Sequence, residues 1–471
     1  MATGSGLSRK WVVIVILATL WLATRAPIVL LSFQTTQIPD DSSDQILRYY
    51  PLAVSLANGH GFTKLGRRDD FDLPGYPVLL AAVCRWTPHV RGVASILQVM
   101  LEGATIWLIW VIATFLRLPL RCCLIAVGFG ILSPFLPWYS GLLMTEVLAT
   151  FLLTLFVVVA IKAAQSDCKA LSFVLGTLAA AILLVRPDCL PAVVLVFSAA
   201  AISQVRLRRF RFVLLHSSLA LIAVLLGLTP WTVRNYILMN NVRPLGRVTD
   251  QTRLGYIQWL STWADSPNYI AGYWWRLGGS ELESDSEMPQ FPANKVSEPE
   301  RTIAWNAYLR ARAVHSLASE DATFRSLAQQ RKQSRQVHTV FAVPVLRVAK
   351  TWISLPLGTL SPGDLTTFSW GFDKFLPTPW HIAVRYSKLF WAVFSLLTAI
   401  GLVCVLLRRS SLSLVPVCCL LGRLILPFVT ILGADPRYMI EAIPCCCVLA
   451  AYAFIETDSA RWPTCTVAHA A

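Results

Sequence analysis

Apolar runs of about 18 residues or more recur along this chain, and each is long enough to cross a hydrocarbon core of roughly 30 Å. That feature restricts the fold more than any other. Inside a bilayer every backbone N–H and C=O must be paired within the protein, so repeated long apolar runs become spanning helices. Ten positions are expected, near 11–33, 93–116, 121–139, 142–162, 169–186, 188–204, 212–230, 386–407, 412–432 and 437–456. The expected class is an all-α polytopic membrane protein of about ten transmembrane helices, with outer interfacial helices and a large outer loop region. An apolar fraction of 55% agrees, since soluble chains run near 45–50%.

The net charge is +15. In a soluble chain such a balance points to nucleic acid; here the positives serve orientation, and no nucleic-acid partner is expected. Arg117 with Arg121, Lys162 with Lys169, the run Arg206, Arg208, Arg209 and Arg211, and Arg408 with Arg409 fall in alternate connections. Arg9 and Lys10 share their side. The positive-inside rule then places both termini in the cytoplasm. The opposite side receives the loop 34–92, the turns near Ser140 and Pro187, a long segment 231–385, and the turn Gly433–Arg437. Three regions follow: 1–230, a transmembrane module holding the first outer loop; 231–385, extracytoplasmic; and 386–471, the last spans with a short cytoplasmic tail.

Arg9 and Lys10 before an apolar stretch, with "ATRAP" at Ala23–Pro27, imitate a cleavable signal. The apolar run resumes at Pro27–Phe33, so an uncleaved anchor is expected. The twelve cysteines mostly lie in apolar runs without zinc spacing, and are read as small buried hydrophobes. No metal is assigned.

Within 231–385, Ser280–Glu300 reads as an exposed loop. A helix follows, with Ile303, Ala307, Leu309, Ala313, Val314 and Leu317 on its apolar face. Phe341–Gly358 is apolar but interrupted by Pro344, Arg347 and Lys350, which favours an interfacial helix over a span.

Charge is sparse, so its placement carries information. Asp40, Asp41 and Asp44 crowd the start of the first outer loop, before a short amphipathic helix through Tyr49, Tyr50, Ala53 and Leu56 that stops at Asn58-Gly59. Pro51 should kink or restart it. Asp44 is either a helix cap or a catalytic acid. Glu146 sits at the outer end of the fourth span, where an ionisable group is a functional candidate. Arg186 and Asp188, Arg234, and Asp435, Arg437, Tyr438 and Glu441 add guanidiniums and acids at the same face. A guanidinium fork matches phosphate oxygens. Arg423, the one strong charge read as lying mid-span, calls for a cavity or a partner and receives no role.

The stretches "SDQILRYYPLAVSLANGHGF", "LPGYPVLLAA", "MTEVL", "VRPD", "TPWTVRN" and "PRYMIEAIP" occur in this order over nearly the whole chain. Together they resemble the membrane-embedded GT-C glycosyltransferases. The closer likeness is to bacterial glycosyltransferase family 39 proteins, related to protein O-mannosyltransferases and to aminoarabinose transferase. The resemblance implies a sugar moved from a polyprenyl-phosphate donor to a lipid, glycan or protein acceptor at the outer face of a bacterial inner membrane, with inversion. The lipid-linked donor is a substrate, and no separate cofactor is implied. Asp44 matches the essential acid, with Asp40 and Asp41 as fallbacks, and Glu146 matches a second acid. Leu73 stands where some relatives carry a phosphate-contacting Lys. Phosphate contact then falls to Arg67, Arg68, Arg234 or Arg437, with Arg186, Asp188, Tyr438 and His60 in support. The rival classes are a transporter or flippase for a lipid-linked or anionic substrate, and a non-catalytic lipid-binding scaffold.

Overall fold

The computed structural model describes residues 5–34, 48–64, 66–69, 72–206, 210–240, 242–245, 254–270, 273, 290–314, 317–356, 378–408 and 410–455. Asp40, Asp41 and Asp44 lie outside the described residues, as does 280–289.

The described chain is mainly helical. In chain order come α1 (Ser5–Gln34), α2 (Tyr50–Ala57), the two-residue strands β1 (Thr63–Lys64) and β2 (Arg67–Arg68), α3 (Gly75–Trp86), α4 (Val90–Phe115), α5 (Leu120–Leu132), α6 (Phe135–Ser140), α7 (Glu146–Gln165), α8 (Lys169–Val185), α9 (Leu190–Arg206) and α10 (Phe210–Met239). The segment 231–385 contributes α11 (Leu254–Ser261), α12 (Pro267–Ile270), α13 (Glu300–Ala313), α14 (Asp321–Ser334) and α15 (Val343–Ile353). The chain closes with α16 (Thr378–Arg408), α17 (Leu414–Val429) and α18 (Ile443–Tyr452).

Among the described residues, six helices are long and apolar enough to cross a membrane: Val15–Gln34, Val90–Phe115, Glu146–Gln165, Pro187–Val205, Val213–Met239 and Arg385–Arg408. The protein is an integral membrane protein. Helices stand at the other expected spans too, but α5, α8 and α17 are shorter. The expected span 121–139 is broken at Ser133-Pro134 into α5 and α6, because proline disfavours helix in the residue before it. The expected span 437–456 opens as a 3-10 turn, Pro436–Ala442, before α18. Helix α10 continues past 230, so that region boundary falls inside a helix.

Small residues set the helix crossings, as they do where lipid offers no hydrophobic drive to associate. A Cβ on Gly176 of α8 would lie 2.1 Å from the Ala220 carbonyl oxygen of α10, and one on Gly227 would lie 2.5 Å from Ala180. Gly422 of α17 meets the Ala192 backbone of α9 in the same way, and Gly401 of α16 meets Leu449 of α18.

One end of the bundle collects the basic connections. Gln204 donates to the Ala163 carbonyl at 2.9 Å, Ser203 to Ser411 at 3.1 Å, and Ser413 pairs with Tyr452 at 2.7 Å. The other end carries the described part of the segment 34–92, with Glu146, Asp188 and Glu441 close to it. In the segment 231–385, aromatic residues of α11 and of the stretches around it (Tyr256, Trp259, Trp263, Phe291) pack with Phe324 into a separate core. The expected apolar face of α13 is corrected here: its buried side is Ala304, Ala307, Tyr308 and Ala311. Ile303, Leu309 and Val314 point outward. The small alanines allow close helix contact that the larger side chains would prevent.

Candidate functional site

Proline at the first turn of a helix gives up an N–H that has no helical partner there. Pro51 is the second residue of α2, and Arg48 and Tyr49 just before it belong to a π turn, so the chain is already helical where it reaches the proline. The helix ends at Asn58, and Gly59 and Gly61 take φ of +77° and +74°, a region that favours glycine. The turned chain enters the hairpin of β1 and β2, in register Thr63↔Arg68 and Lys64↔Arg67. Adjacent strand residues face opposite ways, so Arg68 lines the groove beside the hairpin while its neighbour Arg67 does not.

Arg234, near the C-terminal end of α10, clamps this loop. It donates to the carbonyls of Asp69 at 2.8 Å and Phe62 at 3.1 Å. Its guanidinium lies 4.7 Å from the Trp231 ring centre, within cation–π range. Phe62 meets Trp231 edge-on at 5.0 Å. Between loop, α3 and α10 lies a groove of about 420 Å³. Leu56, Val78, Trp231 and Leu238 give it apolar walls, and His60, Arg68 and Arg234 bring polar and cationic groups to it.

Two acids of this loop were missed from sequence. Asp72 is fully buried. Arg48 Nε donates to its Oδ1 at 2.6 Å, and Asp69 Oδ1 accepts from its backbone N–H at 2.8 Å. Lys64 lies 3.8 Å from Oδ2, which has no hydrogen-bond partner. Burial pushes the Asp72 carboxyl up despite Arg48 and Lys64. Only the mixed-charge run "RRDDFDLPG" marks it in sequence.

Behind this loop a second cluster joins helix ends far apart in the chain. Gly75 packs directly on Leu184 and Val185, which lead into Arg186. Arg186 Nη1 lies 3.0 Å from Glu146 and 2.8 Å from Glu441, and its Nε lies 3.3 Å from Asp188. Arg423 Nη2 lies 2.8 Å from Asp188 and 3.0 Å from Glu441. Arg423 also donates to the Tyr438 and Asp188 carbonyls at 2.8 and 2.9 Å. The Arg186 Nη1 and Glu441 contacts are close ion pairs without hydrogen-bond alignment. Glu146 is the first residue of α7, where the helix dipole favours an anion. Arg437 pairs with Asp435 at 3.0 Å and, like Arg186, approaches the Tyr438 ring, at 5.3 and 4.9 Å.

The structure thus brings Glu146, Arg186, Asp188 and Tyr438 together, with Arg437 beside them and Arg423 as their partner. His60, Arg68 and Arg234 meet separately at the groove. Arg423 does not stand alone as a buried intramembrane charge, which corrects the sequence reading. Arg25 of α1 pairs with Glu102 of α4, Nε to Oε1 at 2.9 Å, and both are buried. Each is a single charge within an otherwise apolar run, the signal that singled out Arg423. Among the described residues no cluster of His, Cys, Asp and Glu is arranged to hold a metal ion.

No protein-family model matches the chain, and no curated protein matches it. Two solved structures of the Archaeoglobus fulgidus oligosaccharyltransferase are similar. One is tethered through a disulfide to an acceptor peptide containing the NVT sequon; it is 11% identical over 92% of this chain and 49% of that one, with a TM-score of 0.43. The apo form is 12% identical over 94% and 50%, with a TM-score of 0.41. The chain spans about half the length of these proteins. At such scores the likeness assigns neither a family nor a substrate.

Proposed function

We propose that the chain is a membrane glycosyltransferase of the GT-C kind, moving a sugar from a polyprenyl phosphate to an acceptor at the extracytoplasmic face with inversion. The groove carries this reading. Its apolar walls suit an isoprenoid chain, and Arg68, His60 and Arg234 suit the phosphate that joins chain to sugar. Ten spans, both termini in the cytoplasm, and the region 231–385 as an outer cover over the groove complete the proposal. The bacterial inner membrane is the proposed site.

In this scheme an acceptor hydroxyl oxygen attacks the anomeric carbon while the carbon–oxygen bond to the phosphate breaks. Asp44 takes the hydroxyl proton, and the polyprenyl phosphate leaves with the bonding electrons. The transition state is oxocarbenium-like by analogy with glycoside hydrolysis. Negative charge grows on the departing phosphate, where arginines aimed in advance are most effective. Asp44 precedes Arg48 by four residues, so covalent geometry keeps the two Cα atoms within roughly 14 Å of each other. Glu146 serves as the second acid through its ion pair with Arg186.

Protein in lipid vesicles, given a labelled polyprenyl-phosphate sugar and a panel of glycan and lipid acceptors, should transfer label and release polyprenyl phosphate. The Asp44→Asn protein should lose about 10²–10⁴-fold in rate. A full rate in that variant would remove Asp44 as base. Movement of the labelled lipid across the vesicle without transfer would favour a flippase.

A further inference from the structure

A helix on a water-facing surface buries its apolar side and turns its polar side out. The stretch from Val337 to Ile353, a π turn (His338–Ala342) running into α15, departs from that pattern. Its inward face mixes Val343 and Pro344 with Thr339, Arg347 and Thr351, all buried. Arg347 donates to the carbonyls of Ala264 at 2.8 Å, Ser261 at 2.6 Å and Pro427 at 3.2 Å, and Thr351 donates to Ala434 at 3.3 Å. Its outward face holds Val337, Phe341, Val345 and Ile353, exposed by 77, 62, 41 and 75%. These stand four or eight residues apart, so they form one ridge along the helix.

The ridge adjoins α16, which is long and apolar enough to cross a membrane. Trp352 packs against Trp391 of α16 at 5.2 Å, and Trp391 Nε1 donates to the Trp352 carbonyl at 2.7 Å. Trp391 lies six residues, about 9 Å, past Arg385, the first residue of that apolar span. Around it, α16 exposes Leu389, Val393 and Leu396. At its other end the ridge is preceded by exposed Lys332 and Arg335, placed for anionic headgroups. We infer that the Val337–Ile353 ridge is sunk into the acyl region of the outer leaflet, with Lys332 and Arg335 at the headgroups, so that the outer region is held down on the bilayer beside α16 and α17. A helix lying flat at the surface with its basic residues outward is a different arrangement, because here Arg347 is turned inward to carbonyls.

The test replaces Phe341, Val345 or Ile353, one at a time, with a benzophenone amino acid. Gln329, exposed on α14, is the polar control. Each protein is placed in vesicles of phosphatidylethanolamine and phosphatidylglycerol, irradiated, and analysed by mass spectrometry. Phospholipid adducts several-fold above the Gln329 level are expected at all three positions. Cross-links between two copies of the chain, or adducts no higher than at Gln329, would overturn the inference. These side chains point outward, so folding should survive, and three independent positions guard against one that fails.

Discussion

Arg423 is fully buried among groups that all depend on its charge. Replacing it by methionine leaves Asp188 and Glu441 with less cation than they need, and breaking a buried pair from one side costs about 3–5 kcal/mol. The Arg423→Met protein should unfold at a clearly lower temperature in detergent, and adding Glu441→Gln should restore part of the loss. Asp72 behaves in the opposite sense. Because burial raises its carboxyl, the folded chain holds that proton to higher pH than the unfolded chain does. Its contribution to stability therefore falls as pH rises from about 4 through the raised pKa, and the penalty is complete above it. Asp72→Asn should narrow that pH dependence, so its midpoint gains on the parent's as pH rises; an unchanged difference across pH would contradict the burial argument. Of these residues, Arg423 was legible in sequence as a charge that needed a partner. The partner was not, because Asp188 lies 235 positions away. Asp72 was invisible because an acid in a mixed-charge loop has no periodicity to show its burial.

Helix positions follow from apolar run length, and so they were legible. Which face a helix buries was less so. In α13 Ala304, Ala307 and Ala311 are inside and Ile303, Leu309 and Val314 are outside; counting apolar residues fails where size decides which side can approach a neighbour. The crossing of α8 and α10 depends on the same point. Gly176 admits the Ala220 carbonyl where any Cβ would collide at 2.1 Å with backbone. Gly176→Val should push the two helices apart, at about 1–3 kcal/mol for overpacking. Because α10 carries Trp231 and Arg234 to the groove, the same change should weaken donor use, seen as a raised KM at little altered protein yield. Gly128, whose added Cβ would meet nothing within 4 Å, is the matched control, and Gly128→Ala should leave both measurements near the parent's.

At the scale of the molecule, the bundle has two chemically distinct ends. One gathers the connections near Ala163, Ser203, Ser411 and Tyr452, where Lys162, Lys169 and Arg408 stand at the ends of α7, α8 and α16. The other gathers the groove, the buried ion cluster and the helices of the segment 231–385. If the basic end is cytoplasmic, every proposed site residue faces out, where a lipid-linked sugar would have to be presented. Cys168 is an exposed cysteine on the basic end, in the turn between α7 and α8. Gln329 is exposed on the outer region. A membrane-impermeant maleimide applied to intact cells should therefore label a Gln329→Cys, Cys168→Ser protein and spare the parent's Cys168, which should react only after the membrane is permeabilised. Labelling of Cys168 in intact cells would invert the topology. It would turn the groove toward the cytoplasm, and the extracytoplasmic reaction would have to be abandoned even if sugar transfer itself were observed.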